Sequence, residues 1–183
     1  MDINSKKMKR NYIYILFLLV TLFSACAKNE EIVFAGSQIE FDASVYNANA
    51  SGATYPIVTR VPGYGRTIVT TTSSTFTADP LINRSSGTIK VRVNFVSSQS
   101  SNATTLTYRV VPDVTTAVAG THFNTSGSFT IPANSSFGEI SIDILNPGAT
   151  TTGPKVLVLE LIGNETIKVS ENDKRLGLSI AQN

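Results

Sequence analysis

The chain has no tryptophan, one histidine and one cysteine in 183 residues. Each scarcity closes off a class of function. A single histidine cannot build a multi-histidine zinc site. A single cysteine leaves no partner for an internal disulfide, so the staple on which many small secreted domains depend is missing. Without tryptophan, a contact surface must be built from tyrosine and arginine, the other residues that commonly dominate binding. Charge is sparse as well, at 15% of residues. There is no G-x-S-x-G elbow, P-loop or dinucleotide glycine pattern, and no long helical period follows Cys26.

What the chain does have begins at its N-terminus. "KKMKR" is followed by an apolar run, Tyr12–Ala25, of 14 residues. A membrane-spanning helix needs about 20 apolar residues. A basic start, a short apolar core and small residues at Ser24 and Ala25 have the anatomy of a secretory signal. Residues 1–25 carry Lys6, Lys7, Lys9 and Arg10 against Asp2 alone, and the remainder keeps 11 basic and 12 acidic residues. The basic excess of the whole chain therefore resides in that segment. No basic stripe remains to meet phosphates, so nucleic acid is not an expected partner.

"LFSAC", Leu22–Cys26, resembles the lipobox of bacterial lipoproteins, with Phe23 standing where that family usually has leucine. The resemblance implies that Cys26 is acylated on its thiol and becomes the mature N-terminus. The thiol is then consumed by lipid and is not a nucleophile. Several acyl chains hold a protein stably at a membrane, where one holds it weakly. "AKNEE", Ala27–Glu31, is similar to the short Lys-plus-acidic signal of Bacteroidota lipoproteins. That likeness implies export to the outer face of the outer membrane, with Lys28, Glu30 and Glu31 as the signal. The expected organisation is a signal peptide over 1–25, a lipidated cysteine and tether over 26–36, and one domain over 37–183. The 158 residues left after cleavage are enough for one well-cored domain.

That domain reads as strands. "GTIKVRVNFV" (Gly87–Val96) turns Ile89, Val91, Val93 and Phe95 one way and Lys90, Arg92 and Asn94 the other. "GEISIDIL" (Gly138–Leu145) alternates likewise, and so do "QIEFDASVY" (Gln38–Tyr46), "TTLTYRVV" (Thr104–Val111) and "RLGLSIA" (Arg175–Ala181). A period of two marks half-buried strands. "KVLVLELI" (Lys155–Ile162) is apolar on nearly both sides, which suits a central strand. "YPIVTRV" (Tyr55–Val61), "RTIVTTT" (Arg66–Thr72) and "GSFTIP" (Gly127–Pro132) are shorter candidates, and turn signals such as "NPG" and "TTGP" separate the runs. Many short strands without helices predict an all-β fold, an immunoglobulin-like antiparallel β-sandwich.

"AGTHFNTSGSFTIPANSSFGEISIDIL" (Ala119–Leu145) followed by "KVLVLELIGNETIKVSENDKRLGLSIA" (Lys155–Ala181) is similar to the second half of a Calx-β-type sandwich. The same order of strands and turns occurs in domains of unknown function in Bacteroidota surface lipoproteins, often encoded beside glycan-uptake machinery. The resemblance implies a lipid-anchored accessory binding module with an outer-membrane partner and a glycan or protein ligand. A structural or adhesive subunit of the fimbrial type is the second reading. The departures from the family bear on metal. His122 precedes Phe123 where calcium-binding members carry Asp, and the turn Asn146–Lys155 contains no carboxylate. Calcium takes six to eight oxygens, several of them carboxylate. No calcium, other metal or cofactor is expected.

No catalytic residue is expected either. A lone histidine in a strand corner is a structural residue far more often than a base. Glycoside hydrolysis needs two facing carboxylates roughly 5–9.5 Å apart. Glu139 and Asp143 share one face of a strand about 13 Å apart by strand rise. The one place where aromatic, arginine and turn residues cluster is "ATYPIVTRVPGYGRT" (Ala53–Thr67). Tyr55, Arg60, Tyr64 and Arg66 there are the candidate binding residues, and the competing role for the two tyrosines is to cover an open end of the sandwich.

Overall fold

The computed structural model describes residues 36–42, 54–64, 69–70, 75–76, 79–148 and 153–183. Twelve strands run in chain order through these residues. They are β1 (Gln38–Phe41), β2 (Ile57–Val58), β3 (Val69–Thr70), β4 (Thr75–Phe76), β5 (Thr88–Val96) and β6 (Thr104–Val110), then β7 (Phe123–Thr125), β8 (Ser128–Ile131), β9 (Phe137–Ile144), β10 (Lys155–Ile162), β11 (Lys168–Val169) and β12 (Arg175–Ile180). A single 3₁₀ turn, Pro112–Val114, interrupts them. The fold is an all-β sandwich.

Two five-stranded sheets form it among the described residues. One has the order β11-β1-β5-β9-β7 and the other β2-β12-β10-β6-β8; β3 and β4 pair separately. From β5 onward the chain changes sheet at every strand, so no strand of either sheet pairs with its neighbour in sequence. The pairings are antiparallel with two exceptions. The two-residue edge strands β11 and β2 add in parallel, to β1 and β12.

The alternation in sequence explains the layers. On β5, Ile89, Val91, Val93 and Phe95 are buried, and on β9 Ile140, Ile142 and Ile144 face the same core. Leu157, Leu159 and Leu161 of β10 and Leu176, Leu178 and Ile180 of β12 close it from the other sheet. Each such side chain stabilises the fold by about 1.5–3 kcal/mol relative to exposure. β10 lies between β12 and β6, the central position its doubly apolar pattern predicts. Val158 on its outer face is also fully buried.

Several boundaries differ from the expected ones. The strand expected over Gln38–Tyr46 is described as far as Phe41, and residues 43–50 lie outside the described set. Tyr55–Val61 contracts to Ile57–Val58, because Val61 and Ile82 bond to Pro80 and Thr59 instead of to a sheet neighbour. β7 and β11 are three and two residues long, too short for a period of two to be visible. The terminal strand β12 is paired on both edges, to β10 and to β2, so it is an internal strand of its own sheet.

Candidate functional site

Cys26, Lys28, Glu30, Glu31 and Arg66 lie outside the described residues. The other three residues of the aromatic and arginine segment are described, and they separate. Gly177 of β12 points away from the core, and a Cβ placed there would lie 3.0 Å from Ile57 and 3.4 Å from the ring of Tyr55. Tyr55 thus covers the outer face of the β12 sheet. Tyr64 lies against the outer face of the opposite sheet, its ring 4.3 Å from the Arg92 guanidinium carbon. Phe137, 39% exposed, covers the guanidinium at the same distance. Asp42 pairs with Arg92 at 3.7 Å. Arg60 is exposed and donates to the Asp79 carbonyl at 2.5 Å. The two tyrosines therefore do not share one surface.

The polar candidates for chemistry are held by structural partners. His122 is buried; its Nδ1 accepts a hydrogen bond from the Val118 amide at 3.0 Å while its own amide donates to the Val118 carbonyl. Glu139 pairs with Lys90 at 2.8 Å, and Asp143 accepts from the Thr88 hydroxyl at 2.6 Å. Among the described residues no group of three or more His, Cys, Asp and Glu is arranged to hold a metal ion.

The outer face of the β12 sheet carries one charged cluster. Glu160 of β10 stands opposite Arg109 of β6 and Arg175 of β12 in register, and both guanidinium groups bond its carboxylate. Burial pushes the Glu160 carboxyl up, but hydrogen bonds and charge from Arg175 and Arg109 outweigh it and hold the group below the ordinary value. Glu40 of β1 behaves oppositely: burial, then the nearby Asp173 and Asp42, raise it.

A concavity of about 570 Å³ opens where the chain passes from β6 to β8. That volume lies within the range of small-ligand sites, roughly 300–1,000 Å³. Its construction follows from the β6–β7 connection, residues 111–122. Pro112 starts the 3₁₀ turn, after which the chain runs along β10 and takes up the ladder positions that β6 has vacated. Val111 donates to Val158, Thr116 and Ala117 donate to the Val156 carbonyl, and the Thr115 and Thr116 hydroxyls accept from the Val158 and Val156 amides. His122 then fixes the corner into β7. Gly127, at φ 77°, supplies the left-handed turn into β8, and its carbonyl accepts from the Tyr108 amide.

The lining mixes apolar residues, Val110, Pro112, Ala117, Val118 and Phe123, with the polar Thr115, Asn124, Thr125 and Ser126. Val118 is 55% exposed at the mouth, whereas Tyr108 is only 4% exposed at the floor. The Tyr108 hydroxyl is hydrogen-bonded to that of Thr125, joining the two sheets, and Thr125 donates onward to the Ser141 carbonyl at 3.3 Å. Among the described residues no charged side chain lines the cleft. Reasoning from sequence missed it by searching for aromatics beside arginine. The available signal was the gap Pro112–Ser126 between the strands expected to end at Val111 and to begin at Gly127, which is longer than most connections in compact domains.

No protein-family model matches the chain, and no curated protein does. Solved structures do resemble it. The apo form of the Calx CBD1 domain is 14% identical with a TM-score of 0.48, over 79% of this chain and 97% of that one. CBD12 from CALX1.2 is 19% identical with a TM-score of 0.45, over 55% of this chain, which spans 39% of that protein's length. A two-domain protein of unknown function from Bacteroides fragilis is 7% identical with a TM-score of 0.46, over 80% of this chain and 45% of that one. These are likenesses in the arrangement of strands; the sandwich assignment stands on the two sheets themselves.

Proposed function

We propose that this protein is a non-enzymatic, lipid-anchored surface protein that binds a ligand in the cleft between β6, the β6–β7 connection and β7. On this reading it is an accessory module of an outer-membrane nutrient-uptake system. The observation that carries the binding reading is the cleft: a concavity lined by both apolar and polar residues, with the hydrogen-bonded Tyr108–Thr125 pair among them. Glu139 and Asp143 are engaged on the outer face of β9 and His122 is held by the Val118 amide, which supports binding over hydrolysis. The strand that a fimbrial subunit would donate is, in β12, already bonded on both edges.

The anchor and the cleft are tested separately. Cys26→Ser should abolish metabolic labelling with a palmitate analogue and release soluble protein, and equal labelling of the variant would sink the lipoprotein reading. Replacing Lys28, Glu30 and Glu31 with alanine should leave labelling intact and reduce protease accessibility on whole cells. For the cleft, the purified Cys26→Ser protein is screened against a glycan array with and without Val118→Asp. The exposed Val118 tolerates a charge, so stability should hold within about 0.5 kcal/mol. Every array signal should fall. Signals indifferent to that change would place binding elsewhere.

A further inference from the structure

We infer that the cleft takes an uncharged, polyhydroxylated ring, a neutral saccharide unit, and not a sugar acid, an amino sugar or a peptide. The inference rests on the binding role proposed for this cleft and names the ligand class. Three observations point to it.

The first is charge. None of the described residues lining the cleft is acidic, basic or histidine. A carboxylate or ammonium seated there would give up water without gaining a counter-charge, which is costly. The nearest arginine on β6, Arg109, is committed to Glu160 on the outer face of the sheet.

The second is the direction of the hydrogen bonds on the floor. Thr125 has one hydroxyl proton, and it goes to the Ser141 carbonyl. In the arrangement that satisfies both bonds, the Tyr108 hydroxyl donates to Thr125. The Tyr108 oxygen is left with acceptor capacity only, so the floor selects a ligand that donates. A sugar hydroxyl does so. The mixed lining suits the same ring, whose C–H face can pack on Val110, Pro112 and Val118 and whose hydroxyls can meet Thr125 and Ser126.

The third observation disfavours a peptide. A peptide would gain most of its affinity by adding as a strand to the edge of β7. That edge is partly occupied by the chain itself: Gly120 donates to the Phe123 carbonyl at 2.9 Å, and Ala119 and Phe123 form a bridge.

The test uses ¹⁵N-labelled Cys26→Ser protein titrated with maltose, cellobiose and lactose, with glucuronate and glucosamine, and with a blocked neutral tripeptide. Amide shifts of Val118, Ala119 and Asn124 report the cleft. The expected result is that at least one neutral disaccharide shifts these amides and the charged sugars bind about tenfold or more weakly. Tyr108→Phe should lose about tenfold in affinity, the effect of one hydrogen bond of about 1.4 kcal/mol. Val118→Asp, an exposed change that spares the floor, should also weaken binding. Charged sugars binding as well as neutral ones, or the tripeptide shifting the cleft while no saccharide does, would overturn the ligand class and leave the cleft as a binding site. Saccharide-induced shifts confined to other surfaces, or no response from any probe, would overturn both.

Discussion

The phenol oxygen of Tyr64 accepts a hydrogen bond from the Arg92 amide at 2.6 Å. The neighbouring strand β1 ends at Phe41, and Asp42 makes the last bond of that ladder, to the Arg92 carbonyl. Tyr64 therefore fills the place of a backbone carbonyl from a longer β1. Tyr64→Phe should cost about 1–3 kcal/mol by leaving that amide unpartnered. Tyr64→Ala should cost more, because the ring over Arg92 is lost as well. Urea denaturation checks both. A Tyr64→Phe protein with the parental midpoint would show that the hydroxyl has no structural role.

Gly138 of β9 faces the backbone of β8. A Cβ at this position would lie 2.7 Å from the Thr130 carbonyl oxygen and 3.1 Å from the Phe129 ring. The carbonyl belongs to a paired strand and cannot swing aside. Gly138→Ala should destabilise by about 1–3 kcal/mol, the usual range for overpacking. Ser141→Ala, on the exposed face of the same strand, should stay within about 0.5 kcal/mol. The difference in melting temperature between the two variants is the readout.

Acid should separate Glu160 from Glu40. Glu160 is lowered in the folded protein, so its contribution is present above its unfolded value, near 4.5, and is lost as pH falls through the folded value. Glu160→Gln should remove that part of the acid sensitivity and lower stability at neutral pH, since both arginines lose their anion. Glu40 is raised, so its contribution is present below the same unfolded value and disappears as pH rises through the folded one. Glu40→Gln should raise the melting temperature at pH 7 and leave it unchanged at pH 3. Melting curves from pH 3 to pH 7 decide the matter: the two variants should move in opposite directions at neutral pH.

Four of the strands with a clean period of two, β5, β6, β9 and β12, were legible from sequence to within a residue, while the one expected over Gln38–Tyr46 is described as strand only to Phe41. Lys90, Arg92 and Asn94 alternating with four apolar residues could satisfy only a half-buried strand, and β5 is one. The central place of β10 followed from its apolar residues on both faces. The pairing of strands was not legible, because alternation says which face is buried and nothing about which neighbour is bonded. Tyr55 and Tyr64 show the same limit at the level of a site. Nine positions apart around two prolines and a glycine, they read as one cluster, yet the chain between them passes from one sheet to the other. The cleft was missed for a further reason: its walls are valine, alanine and threonine, whose role there depends on a long connection taking up the β10 ladder.

The change of sheet at every strand has a consequence for how the domain folds. A β-meander can begin with a hairpin, which closes in microseconds between residues already near one another. Here neither sheet contains a hairpin of consecutive strands among the described residues. Thr88 and Asp143, which meet across β5 and β9, are 55 residues apart. Every ladder of the two sheets among the described residues joins positions at least 15 apart, the least being Glu160 and Arg175, so folding belongs in the millisecond-to-second range of high contact order. The sandwich has few productive fragments along the way, and half of it made alone would hold strands whose partners lie in the other half.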